Sequence, residues 1–185
     1  MFDEIRAARP EEEEAVCRFY ERVCAELALD EYGPGWHWGI YPDREDLAAH
    51  VRGGALLLGF IGGCIAGAGV LAAGEDPVYS GTPWTIPTAA ARVCVLHLFA
   101  LRRDFRGGGR AAALLEAVLD RAAAEGYTVL HLDVVSGNLP AERLYRELGF
   151  RFAEEKAVWY PDTGDIRVRL YERALTKGEN RRKKE

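Results

Sequence analysis

The sequence has no Cys-x-x-Cys pair, and none of its four cysteines (Cys17, Cys24, Cys64, Cys94) sits with histidine at zinc-binding spacing. A fold stapled by metal or disulfides is therefore not indicated, and no metal is expected. None is needed, because 185 residues that are 49% hydrophobic can bury a core unaided. The cysteines are expected to act as small apolar residues in a reducing compartment. No signal-peptide pattern is visible, since Phe2-Asp3-Glu4 is acidic and no apolar run follows. A cytoplasmic location is the expectation.

Positive charge is also scarce. The 24 Lys and Arg are outnumbered by 29 Asp and Glu, for a net charge of −5. Residues 177–185 alone carry five basic and two acidic groups, so the preceding 176 residues sum to −8. A body this acidic excludes a general nucleic-acid binder, which needs a basic face. The basic end, 177–185, reads as a disordered, solvated tail behind one domain spanning 1–176. Neither an internal repeat nor a domain linker is present. Gly54 to Gly74 is uncharged and long enough to span a membrane, but seven glycines interrupt it. The Gly62-Gly63 pair between two apolar runs predicts a buried β-hairpin, so no membrane is expected.

Helical spacing appears over 10–29, 43–51, 110–125 and 139–148. Strand-like runs cover 56–61, 64–71, 92–101, 128–135, 152–160 and 167–172. A glycine- and aromatic-rich loop fills 31–42, and an irregular insert fills 75–91. This order predicts an α/β (α+β) single domain, a mixed sheet covered by helices.

The chemistry concentrates after the strand at 92–101. A strand, a glycine-rich turn and a helix form a phosphate-binding device. Here Arg106 and Arg110 flank Gly107-Gly108-Gly109, with Arg102 and Arg103 just upstream. This patch predicts a polyphosphate site. No Gly-Lys-Ser/Thr follows, which excludes a nucleoside-triphosphate P-loop. Gly107-x-Gly109-x-x-Ala112 meets a relaxed dinucleotide pattern, with Asp133 near the next strand's end. Five residues separate that strand from the first glycine, however, and only one β-α-β unit is present.

Arg106-Gly107-Gly108-Gly109-Arg110-Ala111 resembles the acyl-CoA pyrophosphate loop, Arg/Gln-x-x-Gly-x-Gly/Ala, of the GNAT superfamily of N-acyltransferases. Downstream, Asn138-Leu-Pro-Ala141-Glu-Arg-Leu-Tyr145-Arg-Glu-Leu-Gly-Phe150 is similar to that family's Asn-x-x-Ala-x-x-Leu-Tyr-x-x-x-Gly-Phe element. The resemblance covers roughly residues 92 to 155. Arg103 stands where the family often has proline. The implied fold is a mixed, mostly antiparallel sheet of about seven strands, flanked by helices, whose fourth and fifth strands splay to admit acetyl-CoA. By the same resemblance, main-chain groups of Phe99, Ala100 and Leu101 pair with pantetheine. Backbone N–H groups of Arg106, Gly107, Gly108, Gly109, Arg110 and Ala111 hold the pyrophosphate, and Asn138, Ala141 and Tyr145 line the cosubstrate. The Leu101 N–H is the implied oxyanion donor.

The implied reaction is acetyl transfer from acetyl-CoA to a primary amine by direct attack in a ternary complex. It needs a base for the amine and benefits from an acid for the thiolate. Tyr145 is the candidate acid, against an ordinary core tyrosine. His97 is the candidate base, against a structural histidine; alternation places it on one face with Phe99 and Leu101, opposite Leu96 and Leu98. His131 and Asp133 are further base candidates. Glu31, Trp36 and His37 in the aromatic loop are candidate acceptor contacts. The acceptor is expected to be a small-molecule or peptide amine, and the resemblance leaves a homodimer open. The alternative reading is a non-catalytic acyl-CoA-binding or sensing module.

Overall fold

In the computed structural model, which describes residues 1–161 and 163–175, the uncharged glycine-rich stretch forms the expected hairpin. Its strands are β2 (Leu56–Ile61) and β3 (Cys64–Ala73), joined at Gly62 and Gly63, both with positive φ. No helix among the described residues is long and apolar enough to cross a membrane. The basic tail expected over 177–185 lies outside the described residues.

A strand that sequence pattern did not reveal precedes everything else. β1 (Glu4–Ala7) runs antiparallel to β2, pairing Arg6 with Leu58. Four residues are too few for alternation to stand out. Helix α1 (Glu13–Leu27) follows a 3-10 turn over Pro10–Glu12, and Arg6 forks onto Glu12 at 2.7 and 2.8 Å. Asp43 caps α2 (Arg44–Arg52) by accepting the Asp46 N–H at 2.9 Å.

The remaining elements are β4 (Val93–Leu101), α3 (Arg110–Ala124), β5 (Val129–Val135), α4 (Leu139–Glu147), β6 (Arg151–Tyr160) and β7 (Gly164–Ala174). They complete a seven-stranded sheet of order β1-β2-β3-β4-β5-β7-β6, antiparallel except at β4–β5. Leu115, Val118, Leu119 and Ala122 of α3 and Tyr145 of α4 pack on one face, over Leu57, Leu96, Leu130 and Leu132. Val16, Phe19, Tyr20 and Val23 of α1, with Leu47 and Val51 of α2, cover Leu56, Leu58, Val70 and Leu98 on the other. Three cysteines are buried, and burial pushes the Cys94 thiol up to about 12. Cys64 departs from the expectation and is exposed at the start of β3.

β4 is not a regular strand. Ala68 pairs with Ala100 and Val70 with His97, so Gly69 alone faces both Leu98 and Phe99. This bulge puts Leu98 at φ +51, the only non-glycine positive φ among the described residues. Tyr20 Oη donates to the Leu98 carbonyl at 2.7 Å and holds it there. The extra residue resets the alternation. Phe99 packs back with Leu96 under the α3 face, while Leu98 and Ala100 join the α1–α2 face. The expectation that His97 shares a face with Phe99 and Leu101 is therefore corrected. Leu101 lies under α3, its Cγ and Leu114 Cδ2 within 3.1 Å of where a Cβ on Gly67 would sit.

The insert between β3 and β4 is anchored by a buried carboxylate. Glu172 on β7, directly opposite His131 on β5, accepts from Thr85 N at 2.9 Å, Thr85 Oγ1 at 2.5 Å and Ile86 N at 3.0 Å. Glu172→Ala leaves two backbone N–H groups without an acceptor in a dry site. We expect a loss of about 2–5 kcal/mol in urea unfolding, with Glu172→Gln costing less because one acceptor oxygen remains.

Candidate active site

Parallel pairing of β4 with β5 lasts for three residue pairs, Val93–Val129, Cys94–Leu130 and Val95–His131. Beyond them the strands part, although β4 runs on to Leu101 and β5 to Val135. A cleft of about 790 Å³ opens in the gap. Backbone groups on the facing edges lose their ladder partners there, which makes an extended amide-bearing ligand a natural occupant.

One end of the cleft is built from the α3 and α4 starts. Gly107, Gly108 and Gly109 have φ of +86, +60 and +74, a conformation that favours glycine. A Cβ on Gly107 or Gly109 would meet nothing within 4 Å, so the space above the turn is open. The turn feeds α3, whose first N–H groups have no intrahelical acceptor. Arg110 Nη1 donates to the carbonyls of Phe105 and Gly107, each at 3.4 Å, and steadies the loop. Arg103, in the position often held by proline in the resembled family, sits in a 3-10 turn over Arg103–Phe105. Asn138 caps α4 through Ala141 N at 3.4 Å. Arg106, Gly107, Ala111, Asn138 and Ala141 line the cleft, as do Phe99, Ala100 and Leu101. Gly108, Gly109 and Arg110 are not among the lining residues; the two glycines are exposed and Arg110 is half-buried.

The open cationic patch expected from sequence is largely neutralised. Arg106 Nη1 lies 2.5 Å from Asp30 Oδ2, and Arg102 Nη2 lies 2.9 Å from Asp104 Oδ2. Arg22 from α1 also reaches Asp104, at 2.5 Å, and the Arg103 N–H donates to Glu26 at 2.7 Å. Hence Glu26 of α1 and Asp30 just beyond it supply carboxylates that linear spacing does not reveal. An anion at this loop would be held chiefly by backbone N–H groups and the helix start.

The other end collects titratable groups. His97 Nε2 lies 3.5 Å from Asp76 Oδ2, while Asp76 Oδ1 accepts the Val78 N–H at 2.8 Å. Tyr79 Oη donates to Asp133 Oδ1 at 2.5 Å. Burial raises the Asp133 carboxyl above its ordinary value and Asp76 adds to the rise, while the Tyr79 bond and the nearby His97 pull the other way. Tyr145 is buried in the cleft wall, its ring 5.6 Å from Phe150. Burial pushes its phenol well up, and the Asp133 charge adds to this, so the hydroxyl keeps its proton at neutral pH.

Other predicted residues fall differently. Trp36 lines the cleft edge-on to Tyr20 and Tyr41, and Glu31 lies exposed at its rim. His37 is exposed and outside the lining, bridged to Tyr41. His131 is buried away from the cleft, stacked on Trp84 at 3.7 Å with Nδ1 2.8 Å from Glu75. Of the strand-five candidates only Asp133 lines the cleft. Sequence reading passed over Asp76, Tyr79, Tyr41 and Tyr160. Asp76-Pro77 is a cap-like pair that could have marked a turn in the insert, but nothing local ties it to His97.

The acetyltransferase (GNAT) family matches residues 21–150 of the chain. A mycothiol acetyltransferase from Corynebacterium aurimucosum is 39% identical over 64 residues, 35% of this chain and 21% of that protein. An L-methionine sulfoximine/L-methionine sulfone acetyltransferase from Pseudomonas aeruginosa is 37% identical over 82 residues, 44% of this chain and 48% of that protein. The chain thus spans from a fifth to about half of the curated relatives it matches. Among solved structures, a GNAT-family acetyltransferase from Streptococcus agalactiae superposes with TM-score 0.73 at 21% identity, covering 96% of this chain and 99% of that one. The yncA protein of Salmonella typhimurium, solved with its cofactor acetyl-CoA, superposes with TM-score 0.69 at 16% identity, covering 94% of each chain.

The raised Asp133 carboxyl has a measurable cost. Its folded value exceeds the unfolded one of about 3.9, so ionisation disfavours the native state increasingly as pH rises from there through the folded value. Asp133→Asn, which keeps an acceptor for Tyr79, is expected to raise Tm at pH 7.5 and to raise it less at pH 5. Scanning calorimetry at the two pH values checks the sign.

Proposed function

The chain belongs to the GNAT acetyltransferase family, and we propose that it transfers the acetyl group of acetyl-CoA to a primary amine by direct attack in a ternary complex. One observation carries this reading. A single cleft runs from the three-glycine turn, along the parted strands, to a buried tyrosine and a histidine–carboxylate cluster.

The pyrophosphate lies on the N–H groups of residues 106–111, with Arg106 and Gly107 at the cleft end of that turn. The pantetheine amides replace the ladder partners that β4 loses beyond Val95, using main-chain groups of Phe99, Ala100 and Leu101, and Asn138 and Ala141 close the far side. The thioester then sits between Tyr145 and His97. His97, with Asp76 beside it, takes a proton from the ammonium. The freed amine attacks the carbonyl carbon, with the Leu101 N–H as donor to the oxyanion. As the C–N bond forms and the C–S bond breaks, the Tyr145 phenol protonates the departing thiolate. The second proton shed by the acylated nitrogen restores the phenol. Glu31 and Trp36 line the acceptor's approach, whereas the exposed position of His37 gives it no part in this scheme.

Tyr145→Phe is expected to lower kcat by roughly 100-fold or more while leaving acetyl-CoA affinity unchanged by calorimetry. Full activity in that variant removes Tyr145 from the acid role. Acetyl-CoA binding without turnover of any amine in the wild-type protein would favour a sensing module instead. His97→Ala is expected to lower kcat/KM and to remove the ascending limb of its pH profile; an unchanged profile removes His97 from the mechanism.

A further inference from the structure

The acceptor end of the cleft has an uneven chemistry. Asp76 and Asp133 line the cleft beside His97, and Glu31 and Asp46 also line the cleft. The only arginines lining the cleft, among the described residues, are Arg106 and Arg143. Arg106 belongs to the glycine turn and is paired with Asp30; Arg143 lies on α4 and is paired with Glu147 at 2.7 Å. No described lysine lines the cleft, and the two lining arginines are paired with Asp30 and Glu147, not with Asp76 or Asp133.

The walls around that cluster are aromatic and apolar. Trp36 and Tyr41 come from the loop between α1 and α2, and Tyr160 and Ile166 from the two sides of the β6–β7 turn. Trp36 is braced edge-on between Tyr20 and Tyr41, at 6.4 and 6.3 Å. The two loops also approach each other. A Cβ on Gly35 would lie 3.0 Å from Thr163 Cγ2, so the acceptor end is bounded by a meeting of segments distant in sequence.

We infer that the acceptor is a small aromatic primary amine that carries no carboxylate beside its amino group. This rests on the transferase reading and narrows its substrate. An ammonium group is drawn to Asp76 and Asp133, and its ring packs between Trp36 and Tyr160. An α-carboxylate hangs on the same carbon as the amine. It would lie against Asp76 and Asp133, with no lysine and no unpaired arginine among the described lining residues to receive it, a like-charge contact that discriminates strongly. α-Amino acids are therefore rejected, and their decarboxylated counterparts are accepted.

The test measures binding, so it does not depend on transfer. The complex of the whole protein with CoA is titrated calorimetrically with tryptamine and phenethylamine, and with L-tryptophan and L-phenylalanine, at one pH. Each amine is expected to bind roughly 100-fold more tightly than its amino acid. Asp76→Asn should reduce that ratio at least about tenfold while CoA affinity holds, because the substitution keeps the Val78 contact and removes only the charge. Trp36→Leu should weaken both aromatic amines more than butylamine. Tyr145→Phe, expected to be defective in transfer, should keep the preference, which separates this inference from the reaction it rests on. Equal or tighter binding of the amino acids, or no binding of either aromatic amine, overturns it.

Discussion

The site exists because two parallel strands stop pairing. Three residue pairs join β4 to β5, after which the sheet gives up ladder hydrogen bonds that a continuous strand pair would make. The bulge at Leu98–Phe99 accompanies that parting and turns the side chains of β4 over. His97 consequently looks toward Asp76, while Phe99 and Leu101 return to the α3 side. The bulge is held from outside the strand, by the Tyr20 hydroxyl on the Leu98 carbonyl. A fully buried tyrosine of α1 therefore sets the geometry of a cleft whose glycine turn lies more than 80 residues later in the chain.

Charge in this molecule is organised across the chain more than along it. Of the loop arginines, clustered in sequence, Arg106 and Arg103 approach Asp30 and Arg102 approaches Asp104. At the other end of the cleft, carboxylates gather around one imidazole. The two ends of one cleft therefore differ: paired arginines beside a glycine turn at one, carboxylates around a histidine at the other.

The hairpin, the three-glycine turn and the α3 and α4 starts were legible in sequence because each depends on local chemistry: paired glycines, a glycine run before an alanine-rich helix, an asparagine cap. Residues of the two motifs, among them Gly107, Asn138, Ala141 and Tyr145, line one cleft. The short β1 was missed because four residues carry too little periodicity. The His97 orientation was misread because alternation assumes an unbroken strand, and the sole local hint of the bulge is Gly69 on the neighbouring strand. The Asp76–His97 and Asp30–Arg106 pairings were invisible, since the partners lie 21 and 76 residues apart and no spacing rule connects them. His131 looked equivalent to Asp133 by position, yet the insert folds over it and seals it beneath Trp84.

The buried Glu172 carboxylate gives the insert a mechanical meaning. The sheet consists of two blocks, β1–β4 and β5–β7, sutured by a three-pair seam. The insert leaves the first block and is pinned by Glu172 to the second, with Tyr79 gripping Asp133 in the same direction. It therefore acts as a tie-rod across the seam on the side away from the α3 helix. The seam beside the cleft is thus bridged at two levels, by three ladder pairs within the sheet and by side-chain hydrogen bonds from the insert above it.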